Sequence, residues 1–418
     1  MTNEPFIVGL DVGSSSVRLA VGQRVASGNS SDLQIVGVSE VPAQGISKGV
    51  ISSIEDATAS VSACIEKTER VLGAPLERAW VGISGIHILT EESRGVVAVG
   101  KPNGEITEED VERAIEAART VATPLNYEIL HVIPKSFTVD GQSGIKDPVG
   151  MTGIRLEVDA QIIQGLSSQI KNLSKCIYRT GFDIEDLVLA ILATAESVAT
   201  ARQKELGVAV VNIGASTTSF AIFEEGDLLS AGVIPIGGDH ITSDIAIGLR
   251  TSIDVAERVK LEHGTTLTKQ VNKKEEINLE DLGGEQETVS QKYVAEIIQA
   301  RVEELFEKID RELKKVGRSG MLPSGIIFTG AGAKLTGLIE LAKDKLRLPA
   351  SLGYPGAVTS VLDRVGDLSF STAVGLVVWG SAMDRAHSKV DRFGKLFSLK
   401  GLDRVTGRVK KIFKSLIP

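Results

Sequence analysis

Apolar residues recur along this chain in two rhythms, and each rhythm predicts an element. Alternation marks strands. IVGLDVGSSSVRLAVG near the start and VAVVNIGASTTSFAIF near the middle each read as strand, small-residue turn, strand. In RLEVDAQIIQ (155–164), Leu156, Val158, Ala160 and Ile162 fall on one face, as a half-buried strand requires. Further strands are predicted at 79–85 (AWVGISG), 129–134 (ILHVIP) and 325–330 (GIIFTG). Helical spacing marks 54–72, where Ala57, Val61, Cys64, Ile65 and Val71 share a side and Gly73 stops the run. A second helix opens at a capping box, Thr107 to Asp110, and carries Val111, Ala114, Ile115 and Ala118. A third, 167–180, ends at Gly181, and a fourth, 289–316, ends at Gly317. The polar stretch 268–288 reads as a surface loop or short hairpin. The last core helix is predicted over 370–383, after which apolar density falls and charge rises.

The two strand–turn–strand units carry the candidate chemistry. The first turn holds Asp11, Gly13, Ser14, Ser15 and Ser16, and the second holds Asn212, Gly214, Ala215, Ser216, Thr217 and Thr218. Glycine lets a backbone come close to a phosphate, and successive N–H groups and hydroxyls then surround the anion. One such turn is an ordinary hairpin signal, but two facing turns can hold a polyphosphate between two lobes. The run GAGAKLTG (330–337) after a strand reads by itself as a tight strand–helix turn.

Composition narrows the class. An apolar share of 42% with 24% charge fits a globular protein large enough for two or three domains. The two cysteines, Cys64 and Cys176, are far apart without metal-ligand spacing, which points to a reducing compartment. The opening MTNEPF lacks the basic and apolar regions of a signal peptide. No apolar run is long enough to span a bilayer. The net charge of −8 hides an asymmetry, because residues 385–418 hold ten Lys or Arg against two Asp. The acidic body argues against nucleic acid as a partner, and the basic tail suggests a separate electrostatic task.

The order of two hairpin turns followed by strand–GAGAKLTG–helix resembles the actin, hexokinase and heat-shock-chaperone superfamily. Within it, ILHVIPKSFTVDGQSGIKDPVGMTGIRLEV (129–158), GGDHITSDIAIGLRTSIDVAERVKLEHG (237–264) and STAVGLVVWG (371–380) are similar to the FtsA family of bacterial division proteins. The resemblance implies an α/β, actin-like (ribonuclease H-like) two-lobe ATPase fold. Residues 1–85 and 166–200 would form the first lobe, 86–165 a small α+β insert, and 201–238 with 321–383 the second lobe. Residues 239–320 would form an upper subdomain, 384–403 a linker and 404–418 an amphipathic membrane-binding helix.

It further implies ATP and Mg²⁺ as ligands. Asp11, Gly13, Ser14 and Ser15 match the first phosphate loop, with Asp11 toward the metal, and Gly214, Ala215, Ser216 and Thr217 match the second. Gly237 and Gly238 match a turn near the sugar, Glu257 and Lys260 contacts to ribose and base, and Gly330, Ala331, Gly332 and Lys334 the adenosine loop. By spacing alone Glu257 and Lys260 read as a surface salt bridge. Two positions depart from hydrolytic relatives: Asn212 stands where an aspartate is usual, and Ala190 where a glutamate often polarises water. An amide is no base at neutral pH, so the residues support nucleotide binding and at most a weak ATPase.

The implied partners are the FtsZ C-terminal peptide, other division proteins and further copies of the chain in filaments, at the cytoplasmic face of the membrane. Two alternatives share the superfamily. An actin-like type IV pilus assembly protein would usually lack the amphipathic tail. A small-molecule kinase needs a catalytic aspartate in a substrate loop, and none of Asp140, Asp147 or Asp159 sits in a recognisable one.

The tail RVTGRVKKIFKSLIP places Val409, Ile412, Phe413, Leu416 and Ile417 on one side of a helix and Lys410, Lys411 and Lys414 on its flanks, which reads as a membrane-surface anchor. Each basic residue near an anionic leaflet contributes about 1 kcal/mol. Phe413→Glu puts a charge on the inserting face, whereas Lys414→Ala removes one surface attraction. Pelleting with anionic vesicles should therefore fall further for Phe413→Glu, and equal pelleting of that variant and the wild type would rule out the anchor.

Overall fold

The computed structural model describes residues 6–396 except 28–29, 121–122, 273 and 361. The predicted tail anchor, Val409 to Ile417, lies outside the described residues. Chain order begins with three antiparallel strands, β1 (Ile7–Val12), β2 (Ser16–Ser27) and β3 (Ser30–Pro42). A small hairpin, β4 (Ile46–Ser47) and β5 (Val50–Ile51), leads to α1 (Ile54–Leu72) and β6 (Arg78–Ile83). The insert follows: β7 (Ile88–Ala98), α2 (Glu108–Arg119), β8 (Tyr127–Val139), β9 (Gln142–Ile145) and β10 (Arg155–Leu166). The first lobe resumes with α3 (Ser167–Tyr178), β11 (Asp183–Leu189), α4 (Ala190–Val198) and α5 (Ala201–Leu206).

The second lobe opens with β12 (Val208–Ile213), β13 (Thr218–Glu224) and β14 (Asp227–Ile234). Helices α6 (Gly238–Leu249) and α7 (Ile253–His263), the short hairpin β15 (Glu276–Asn278) and β16 (Thr288–Ser290), and α8 (Gln291–Lys315) form its upper part. The chain closes with β17 (Ile326–Thr329), α9 (Leu338–Leu346), β18 (Ala350–Leu352), β19 (Thr359–Ser360) and α10 (Ser371–Leu396).

One plan is used twice. The first sheet runs β11-β6-β1-β2-β3-β19 and the second β14-β13-β12-β17-β18. In each, an antiparallel hairpin (β1–β2, β12–β13) lies beside a parallel strand (β6, β17). The two sequence turns therefore occupy equivalent places, at the ends of β1 and β12.

Local chemistry sets the helix limits. Ser53 caps α1 by accepting from the Asp56 amide, and Gly73, at φ 69°, ends it in the left-handed region that favours glycine. The predicted capping box of α2 is present in both directions. The polar 268–288 stretch forms most of the β15–β16 hairpin, one of the two expected forms, and it sends Ile277, Leu279 and Leu282 into the upper core while most of its other residues stay exposed or half-buried. The last helix is longer than its apolar pattern predicts: α10 continues to Leu396, through the first part of the expected linker.

Three clusters carry the packing. One fills the insert between α2 and its sheet, one the upper part of the second lobe, and the largest runs from the first sheet through α4 and α10 to Val208, Val210 and Ile327 of the second. Helix α10 lies so close to α4 that a Cβ on Gly375 would sit 2.0 Å from the Ala193 carbonyl oxygen.

The insert touches both lobes. Its Gln161 amide donates to the Leu229 carbonyl (2.8 Å), and Lys146 pairs with Asp227, both on the second lobe. Toward the first lobe, His131 Nε2 accepts from the Leu189 amide (2.9 Å), and the ring meets Trp379 of α10 edge-on. Burial holds the His131 pKa down to about 4, against an opposing pull from Asp186. The unfolded histidine takes up its proton below its ordinary pKa near 6.5, while the folded one resists to about 4. Stability therefore falls as pH drops through that window, by about 2 kcal/mol between pH 7 and 5. Unfolding midpoints at the two pH values should separate less in His131→Gln than in the wild type; equal separation would mean His131 does not carry the pH response.

Candidate functional site

The equivalent turns face each other across a cleft between the two lobes. Each turn is closed by one backbone bond in the same place: Gly13 N–H to Ser16 O (3.1 Å), and Gly214 N–H to Thr217 O (2.9 Å). A Cβ at either glycine would lie 2.9 Å from that same oxygen, so the tight closure requires glycine. The closure leaves the small residues between to face the opening.

The structure brings together Asp11, Gly13, Ser14 and Ser15 from the first turn, Gly214, Ala215, Ser216 and Thr217 from the second, and Gly330 and Ala331 from the loop after β17. The other predicted residues do not line this cleft. Gly238 N–H donates to the Gly214 carbonyl (2.9 Å), and Gly237 packs against Ala215, so this turn buttresses the second loop. Lys260 pairs with Glu257 (2.6 Å) and also donates to Thr242 (2.8 Å) and the Gly238 carbonyl (3.3 Å). The pair expected from spacing is present, and it is tied to the buttress as well. Lys334 forms an exposed ion pair with Asp367 (2.7 Å). Burial raises the Asp367 pKa, but the bonds from Lys334 and Ser369 outweigh it and bring the group down to about 2.

The glycine-rich loop packs closely on the second sheet. A Cβ on Gly332 would sit 2.4 Å from Ile213 Cγ2, and one on Gly330 would sit 2.1 Å from Asn212 Oδ1. Both glycines therefore let this loop rest on β12. Ala331 between them is exposed and lines the cleft.

Sequence reasoning missed Arg18, Ser84, Ser219, Ser369 and Thr372, which also line the cleft. Arg18 was within reach: the hairpin register sets it directly opposite Asp11. Ser84 and Ser219 share a hydrogen bond (3.0 Å) that joins the lobes at the floor, and nothing local marks it.

Asp11 is the sole carboxylate among the described lining residues. Burial pushes its pKa up to about 6, with Arg18 pulling the other way. Arg18 pairs with Glu40 (2.7 Å), while its Nε finds no partner among the described residues. A desolvated carboxylate suits a divalent cation, and the guanidinium and turn amides suit an anion. No group of three or more His, Cys, Asp or Glu poised for a metal occurs among the described residues. That fits a magnesium ion, which keeps several waters and takes its other ligands from phosphate. Ala190 opens α4 with a methyl group at the cleft wall, and Glu196 is held by Lys204 (2.6 Å) away from the lining.

Two lobes of one plan clasping a phosphate-type cleft define the actin-like class. The solved PilM–PilN type IV pilus biogenesis complex has the same fold, at TM-score 0.65 and 18% identity, covering 90% of this chain and 98% of that one. MreB5 of Spiroplasma citri bound to ADP matches at TM-score 0.54 and 12% identity, covering 92% and 98%. The family model "Cell division protein FtsA" matches residues 209–375, and the model of the SHS2 domain inserted in FtsA matches 85–164. Cell division protein FtsA of Pseudomonas aeruginosa is 37% identical over 90% of this chain and 89% of its own length, and that of Bacillus subtilis is 39% identical over 90% and 84%. The chain belongs to the FtsA family of cell division proteins, an actin-like fold carrying an inserted SHS2 subdomain.

Gly330 stands at φ 85° and ψ 167°, a region open essentially to glycine alone. Gly330→Ala should cost about 1–3 kcal/mol in backbone strain, besides displacing Asn212. A thermal melt of the variant should show the loss, and an unchanged melting temperature would refute this account of the loop.

Proposed function

We propose that the chain is an ATP-binding scaffold that polymerises and ties the FtsZ ring to the cytoplasmic face of the membrane. The observation that carries the nucleotide part is the pair of equivalent, glycine-closed turns facing one cleft with Asp11 and Arg18 at its edge. ATP would lie with its phosphates between the turns and its adenosine toward Gly330 and Ala331. Asp11 would hold Mg²⁺ through the ion's waters, and the ion would neutralise phosphate charge. The sole lining carboxylate is thus committed to the metal, which favours binding and weak turnover.

The attachment part rests on the family and on the tail sequence. Among the described residues no helix is long and apolar enough to cross a membrane, so attachment through the tail would be peripheral. For FtsZ, the upper part of the second lobe exposes Ile247, Ile253 and Tyr293 on α6, α7 and α8, apolar surface suited to a peptide.

Ala331→Trp tests the nucleotide site, because position 331 is exposed and free of the packing that fixes its glycine neighbours. Calorimetry should show Mg·ATP binding to the wild type and about tenfold or weaker affinity in the variant, with an unchanged melting temperature. Equal affinities would sink this placement of the adenosine.

A further inference from the structure

The first turn of α10 is stitched to both lobes by hydroxyl groups. Thr372 accepts from Asn212 Nδ2 (2.9 Å) and lies 2.9 Å from Thr194 Oγ1, and Thr194 in turn donates to the Ala190 carbonyl (2.8 Å). Ser371 adds two bonds alongside, accepting from Ser197 through its carbonyl (2.8 Å) and sharing a hydroxyl bond with Thr329 (2.6 Å). Thr194 and Thr372 are both buried.

These contacts have a direction. A threonine hydroxyl carries one hydrogen. The Thr194 hydrogen is spent on the Ala190 carbonyl, which can only accept. The Thr372 hydrogen must then go to Thr194, so Thr372 can only accept from residue 212. That demands a donor at 212, which asparagine has and an ionised aspartate lacks. With Nδ2 committed, Asn212 Oδ1 is the atom left against Gly330, and both residues line the cleft. An aspartate would need the single Thr372 hydrogen already given to Thr194, and one link of the chain would break.

We propose that Thr372 and Thr194 are positioning residues for the nucleotide site: this one-way chain turns the Asn212 carbonyl oxygen toward the phosphates and their metal, and it makes the start of α10 respond to what the cleft holds. The proposal rests on the nucleotide reading above. Thr372 and Asn212 line the cleft, Ala190 and Thr194 belong to the first lobe, and Asn212 belongs to the second. A ligand that draws the lobes together must therefore tighten or strain the chain. From there α10 runs past β1 to Ser381, whose carbonyl accepts from Arg24 (2.9 Å).

Thr194 lies behind the lining, so it can be changed without touching the ligand. In the full chain, amide exchange of α10 residues 373–383 is measured with and without Mg·ATP, and calorimetry on the same samples reports binding. The wild type should show exchange slowed about fivefold or more by Mg·ATP. At saturating Mg·ATP, Thr194→Val should bind more weakly and lose that slowing, and Thr194→Ser, which restores the hydroxyl, should regain both. Thr194→Ala serves as the breaking variant should the valine fail to fold. Heat of ATP binding with no change in α10 exchange in the wild type overturns the proposal. So does full slowing in the valine or alanine variant. Absence of binding heat in the wild type instead overturns the nucleotide reading and takes the proposal with it.

Discussion

The molecule depends on how closely α10 can lie in the junction of its two lobes. Gly375 meets the Ala193 carbonyl with no space for a side chain, and the helix packs against β1 and α4 along its first half. That contact fixes the distance between the sheets. Because both sheets follow one plan, fixing it also fixes the distance between the equivalent turns. A methyl group at Gly375 would push the helix outward and open the cleft, though it lies outside the lining. The buried area is apolar and large, but it is the backbone approach that turns area into geometry.

The parts legible from sequence are those whose signal is local. Alternation located β1, β2, β10, β12 and β13, and the Thr107–Asp110 box located the start of α2 to the residue. The turns were legible because glycine and hydroxyl residues interrupt apolar strands in a way few other structures require. The hydroxyl chain at α10 was not legible. Its bonds join residues 160 and 178 positions apart, and STAV at a helix start gives no sign of what its hydroxyls will meet. Gly332 is instructive. Its pattern suggests approach to a base, and the structure adds a second demand, since a side chain there would meet Ile213. A glycine marks closeness to something, and only the fold says to what.

Charge divides the work differently from the composition. The body is acidic, yet the cleft holds one carboxylate, and that one faces an arginine across a hairpin. Asp11 keeps a raised pKa because burial strips water from it, and the pull of Arg18 the other way does not outweigh that. A site in this condition gains from a cation in proportion to the desolvation already present in the fold. The same scarcity of acids leaves no second carboxylate among the described lining residues to act on water, so on the proposed function binding and slow chemistry would come from one feature.

Asn212 then ceases to be a mere loss. Read alone, it is an aspartate missing from a hydrolytic loop. Within the hydroxyl chain it is the only one of the two residue types that can donate to Thr372 while Thr372 donates onward. The exchange of a charge for a donor removes a group that would order the metal and attacking water, and it fastens the cleft to the helix leading away from it. On the proposed function, a tail that binds a membrane only marginally per copy would gain firm attachment from assembly through avidity. What the cleft would then control is shape at the junction, held in each state for as long as assembly needs. Fast turnover would shorten those states, whereas a donor that transmits lobe position to α10 serves them, and this is the physical sense in which an amide suits the position better than the acid it replaces.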